Sequence, residues 1–222
     1  MKTDPPLILD SEEIFKIIQR EKTLASSYRA IVNSSFGKDI CFTNEQKTII
    51  SDILKALTPL LKSENVKYWI DWGTFLGAYR DNSIIPWDKD FDLGIQSKYK
   101  NKLYSIIEKT PNLSIHKESH YYLNLKSEGL DHWLDINLYD KVETSDGTFL
   151  ESTSEIKPRS YKYFENLDEV ELEDLKISMP CPSFQHAPEL LSFMYGENWR
   201  HPPGNPLIDE KGKLWSNNWG VK

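Results

Sequence analysis

Tyr68-Trp-Ile-Asp-Trp-Gly-Thr-Phe-Leu-Gly-Ala-Tyr-Arg80 and, after a short spacer, Ile85-Pro-Trp-Asp-Lys-Asp-Phe-Asp-Leu-Gly94 decide the reading of this chain. The first segment reads as a strand over 66–72 that meets a turn at Gly73-Thr74. Such a turn can offer backbone N–H groups and a hydroxyl to an anion. The second segment sets Asp88, Asp90 and Asp92 at alternate positions. Alternate side chains of a strand share one face, so these carboxylates are brought together. Crowded carboxylates repel unless a cation sits among them. A phosphate-holding turn beside a hard-cation site is the equipment of nucleotide or phosphoryl chemistry.

The strength of the signal differs from residue to residue. A glycine after a strand is by itself only a turn residue, and Gly73-Thr74 gains meaning from the acids that follow. Asp90 and Asp92 flank Phe91, and Leu93 completes the alternation, which gives one apolar and one charged face. With Trp87, Phe91, Leu93 and Ile95 around them, they read as central rather than peripheral. Carboxylates held there need compensation, and Mg²⁺ is the ordinary provider, with Mn²⁺ as the alternative. Asp88 either joins that metal shell or braces the turn after Pro86. Lys89 falls on the opposite face.

Further along, His120–Leu125 and Trp133–Tyr139 read as two strands of a hairpin joined around Lys126-Ser-Glu-Gly-Leu130. In the second, Leu134, Ile136 and Leu138 claim the core, which turns Asp135 to the other face with Asn137. Asp135 is therefore a candidate third carboxylate, delivered by a distant strand. Arg80 can grip phosphate as a fork or pair with Asp81, and Lys126 is a weaker phosphate candidate. The five histidines show no metal-ligand spacing, and no P-loop or nucleophile-elbow motif is present.

Charge and composition bound the rest. A net charge of −7 argues against sequence-blind nucleic-acid binding. Two cysteines give no disulfide framework, and no segment matches the roughly 20 apolar residues of a membrane span. The expected setting is cytoplasmic, with peripheral membrane contact allowed. Residues 1–42 are expected to be a helical extension, 43–204 the catalytic domain and 205–222 a tail packed on it. A helix from the Thr43-x-x-Gln46 capping box is expected to bend or stop early at Pro59. Residues 141–163 read as a polar loop, 170–179 as a short hairpin, and a helix opens at Pro188 and ends at Gly196.

The run Gly73-Thr-Phe-Leu-Gly-Ala-Tyr-Arg80 followed by Ile85-Pro-Trp-Asp-Lys-Asp-Phe-Asp92 closely resembles the signature of the LicD/fukutin family, and the likeness continues through Trp133-Leu-Asp-Ile136 to Tyr195-Gly-Glu-Asn-Trp199. The resemblance implies an α+β, nucleotidyltransferase-like fold, a mixed β-sheet flanked by helices. It also implies Mg²⁺-dependent transfer of a phosphocholine or phospho-alditol group from a CDP-linked donor to a glycan acceptor, releasing CMP. Under it, Gly73 and Thr74 hold donor phosphates, Asp90 and Asp92 bind the metal, and Asp135 is a further ligand or the base for the attacking hydroxyl. Arg80 contacts phosphate or holds the acidic strand. Two positions depart from the family pattern: Lys89 stands where Asp is usual, and Tyr79 where a small apolar residue is usual. The rival readings are a nucleotidyltransferase moving NMP from an NTP, and a non-catalytic glycan-binding module built on Trp133, Trp199, Trp215 and Trp219.

Overall fold

The computed structural model describes residues 42–199 except 86, 87, 89, 131, 132, 153–157 and 198. The expected extension over 1–42 and the tail over 205–222 lie almost wholly outside the described residues. Helix α1 (Asn44–Ser63) leads to strand β1 (Tyr68–Ile70), helix α2 (Trp72–Asp81) and strand β2 (Asp90–Gln96). A 3-10 turn and α3 (Lys100–Lys109) follow, then β3 (Ser114–Glu118), β4 (Tyr122–Lys126) and β5 (Trp133–Thr144). The chain continues as β6 (Gly147–Glu151), β7 (Arg159–Ser160), α4 (Lys162–Glu165), β8 (Asp168–Leu172), β9 (Ile177–Cys181) and α5 (Ala187–Tyr195). Among the described residues no helix is long and apolar enough to cross a membrane.

The main sheet runs β1-β2-β5-β4-β3, with β6 and β7 continuing from β5. Its centre is mixed: β2 and β5 are parallel, while β1 and β4 flank them antiparallel. This is the expected α+β architecture, and the 133–139 strand pairs with 122–126 as the expected hairpin. Register follows burial. Phe91, Leu93, Ile95, Leu134, Ile136 and Leu138 all face the core and are almost fully buried, which forces Asp92, Asp135 and Asn137 to the other face. Gly94 is required there because a Cβ would come within 2.2 Å of Trp69 Nε1, whose indole crosses the strand at that point.

Three expectations change. The capping box at Thr43 and Gln46 is present, but α1 continues through Pro59 to Ser63. Pro59 gives up one backbone bond, and Leu54, Leu57 and Leu61, all fully buried, hold the helix across it. The first strand is only Tyr68–Ile70, and Gly73-Thr74 lie in the first turn of α2 rather than in a turn before it. Finally, the described part of 141–163 is largely regular structure rather than loop. Strand β5 runs on to Thr144 and turns through Ser145-Asp146 into β6, which hands the chain to β7. The Asp146-Gly147 pair is the hairpin signal that marks this turn.

Candidate active site

The acids come together by strand register. Asp92 of β2 lies directly opposite Asp135 of β5, and Asp135 lies opposite Asn124 of β4. Asn137 Nδ2 donates to Asp92 Oδ1 at 2.9 Å, and Asn124 Nδ2 donates to Asp135 Oδ1 at 2.5 Å. The row extends the other way to Asp71, whose amide donates to the Asp92 carbonyl at 3.0 Å. Asp90 precedes Asp92 on the same face, at the mouth of the parallel pair.

Burial and like charge act on these groups together. Burial raises the Asp92 carboxyl well above its ordinary range, and Asp90, Asp88, Asp135 and Asp71 push it further. Burial likewise lifts Asp135 to about 6, with Asn124 opposing and Asp90 adding to the shift. Asp88 thus belongs to the same electrostatic cluster. Its amide donates to the Ile85 carbonyl at 3.0 Å, and its carboxylate lies over Gly73, where a Cβ would be 2.2 Å from Oδ2.

Helix α2 points its N-terminus at this cluster. Its first-turn amides have no acceptor within the helix. That of Trp72 is taken by Asp71 Oδ1 at 3.0 Å, and that of Phe75 reaches back to the Asp71 carbonyl at 2.9 Å. Gly73 and Thr74 lie between them, with the positive end of the helix dipole beside them. Thr74 is buried, and its Oγ1 accepts from the Asp92 amide at 2.8 Å, so it ties α2 to the acidic strand.

The remaining candidates sit further out. Arg80 is seven residues along α2 from Gly73, roughly 10 Å by helical rise, and its Nε donates to Asp81 Oδ2 at 2.8 Å. Lys126 ends β4 two residues beyond Asn124, exposed and on the face of Asp135. Trp199 is buried against Tyr79, with ring centroids 5.7 Å apart, so it offers no open platform for a sugar. The side chain of Trp133 and residues 215 and 219 lie outside the described residues.

Three residues were not anticipated. Asp71 is buried between the Tyr139 hydroxyl, which donates to Oδ2 at 2.6 Å, and Arg159 Nη1, which donates to Oδ1 at 2.6 Å. Arg159 comes from β7 and is fully buried. Tyr195 of α5 also faces the cluster. Its hydroxyl is raised well above the usual range, by burial first and then by Asp92 and Asp88, while Arg159 opposes. Asp71 could have been found from its place at the end of an apolar strand. Arg159 could not, because its segment read as loop.

The donor set fits a hard divalent cation: carboxylate oxygens only, with mutual repulsion that a positive charge would relieve. Among the described residues no three acidic, His or Cys side chains are already gathered around one cation position.

Comparison with known proteins gives three findings. The sequence profile described as LicD/FKTN/FKRP, nucleotidyltransferase domain, matches residues 65–182. Human ribitol-5-phosphate transferase FKTN is 25% identical over 189 residues, 82% of this chain and 39% of that protein. Human ribitol 5-phosphate transferase FKRP is 53% identical over 46 residues, 21% of this chain and 9% of that one. The chain thus spans under half the length of these relatives. Among solved structures, the antibiotic-resistance factor ANT(2'')-Ia aligns with a TM-score of 0.45 at 14% identity, over 71% of this chain and 76% of that one. The lincosamide adenylyltransferase LnuA aligns at 0.37 and 17% identity, over 62% and 82%.

Proposed function

This chain belongs to the LicD/FKTN/FKRP nucleotidyltransferase-domain family, and on that premise we propose that it transfers a phospho-alcohol group, phosphocholine or phospho-alditol in kind, from a CDP-activated donor to a glycan hydroxyl. The observation that carries the reading is the lateral pairing of Asp92 with Asp135, with the N-terminus of α2 tied to the same strand through Thr74.

The amides of Gly73 and Thr74 receive the donor phosphates, where the helix dipole favours negative charge. Lys126 adds charge from β4, and Arg80 braces the last turn of α2 through Asp81. Asp90 and Asp92, with Asp88 and Asp135 as further ligands, hold the Mg²⁺ or Mn²⁺, which when bound supplies neutralising charge on the phosphates. Asn124 and Asn137 fix the orientation of the carboxylates, so the site contributes mainly position and electrostatics. Asp135 takes the proton of the attacking hydroxyl. The acceptor oxygen forms a bond to the β-phosphorus, the bond from that phosphorus to the bridging oxygen breaks, and CMP leaves.

The family description as a nucleotidyltransferase domain also favours a second reading, transfer of NMP from an NTP with release of pyrophosphate. A cytoplasmic setting is part of the proposal, supported by low cysteine use and the free, buried Cys181. The test of the catalytic assignment is donor turnover in Asp90→Asn and Asp92→Asn. Loss of at least a hundredfold in folded protein is expected, and unchanged turnover would refute the assignment.

A further inference from the structure

We infer that Arg159 is a positioning residue for the anion-binding end of α2, clamping the Asp71–Trp72 junction in a left-handed backbone conformation that sets the direction of the Gly73 and Thr74 amides. What those amides bind rests on the function proposed above; the clamp itself rests on the geometry.

Trp72 is the first residue of α2 and has φ +42°. Bulky residues seldom adopt that region, and such strain persists only where the surroundings over-determine it. Here Arg159 grips both sides of the junction. Its Nη1 donates to Asp71 Oδ1 at 2.6 Å, the same oxygen that accepts from the Trp72 amide at 3.0 Å. Its guanidinium also lies over the Trp72 ring, 4.5 Å from the centroid. Asp71 is fixed from its other side by Tyr139, and its backbone is bonded to Asp92.

The position of the junction decides where the helix points. Asp71 and Trp72 immediately precede Gly73, against which the Asp88 carboxylate rests, and Thr74, which bonds the Asp92 amide. A shift at φ of Trp72 would swing both amides relative to the acidic row. Planarity and a fixed donor fork are what this double grip requires, and lysine has neither. A residue that only balanced the charge of Asp71 would tolerate lysine.

Amide hydrogen exchange across 72–76 of the ligand-free protein tests the clamp. The Phe75 amide is the direct reporter because it bonds the Asp71 carbonyl. Arg159→Lys, and the charge-neutral pair Arg159→Met with Asp71→Asn, are expected to speed exchange there at least tenfold while leaving β5 unchanged. Adding Trp72→Gly to the neutral pair is expected to restore most of the protection, because glycine takes φ +42° without a clamp. Unaltered exchange in both Arg159 variants, full function of lysine, or no recovery with Trp72→Gly in folded protein would each overturn the inference. CDP binding with Mg²⁺, followed by calorimetry, should weaken about tenfold in the same variants and recover with Trp72→Gly. Wild-type protein that bound no CDP would instead count against the proposed function, with the exchange result still deciding the clamp.

Discussion

Asp92 and Asp135 are register partners on adjacent parallel strands, so one backbone pairing holds two partly desolvated carboxylates side by side. That arrangement lowers the stability of the metal-free fold. The Asp135 carboxyl is raised from 3.8 to about 6. A carboxylate raised in the folded state stabilises fully below its unfolded value and loses that contribution as pH rises through the folded one.

Asp135→Asn keeps an acceptor for Asn124 and removes the charge. In metal-free buffer it should melt higher than wild type at pH 8, by on the order of 2–3 kcal/mol, with the gain shrinking toward pH 4. Thermal melts across that range check the sign. A gain that grew toward low pH would contradict it.

Gly73→Ala places a Cβ 2.2 Å from Asp88 Oδ2 and must displace that side chain. We expect a loss of about 1 kcal/mol and weaker donor binding. In an Asp88→Gly background the stability loss should largely vanish. A double-mutant cycle reads this coupling, and strictly additive effects would show that the two residues do not meet.

Thr74→Val keeps shape but leaves the buried Asp92 amide without its acceptor. Denaturant unfolding should show a loss of about 1–2 kcal/mol. Thr74→Ser should be close to wild type, and a loss in Thr74→Ser with none in Thr74→Val would place the effect in the methyl group instead.

Much of the site is legible in the sequence because strand alternation is a strict rule. Once Leu134, Ile136 and Leu138 claim the core, Asp135 has only one face left. The same rule places Asp90 and Asp92 together. What is not legible is long-range pairing: nothing near Asp71 announces an arginine 88 residues away. The Gly-Thr pair shows a related limit. Glycine after a strand signals a turn, yet an Asp71 cap and a clamped Trp72 let helix start at once. Pro59 misleads for a different reason, since the buried stripe of α1 outweighs one missing hydrogen bond.

The product released from an activated donor distinguishes phospho-alcohol transfer from nucleotidyl transfer. Wild-type protein would be incubated with Mg²⁺, a glycan acceptor extract and, separately, CDP-choline, CDP-ribitol, CDP-glycerol and CDP-ethanolamine, beside an NTP control. CMP release from at least one CDP donor, abolished by chelation and by Asp92→Asn, is the expected result. Pyrophosphate release from the NTP, with every CDP donor intact, would contradict it.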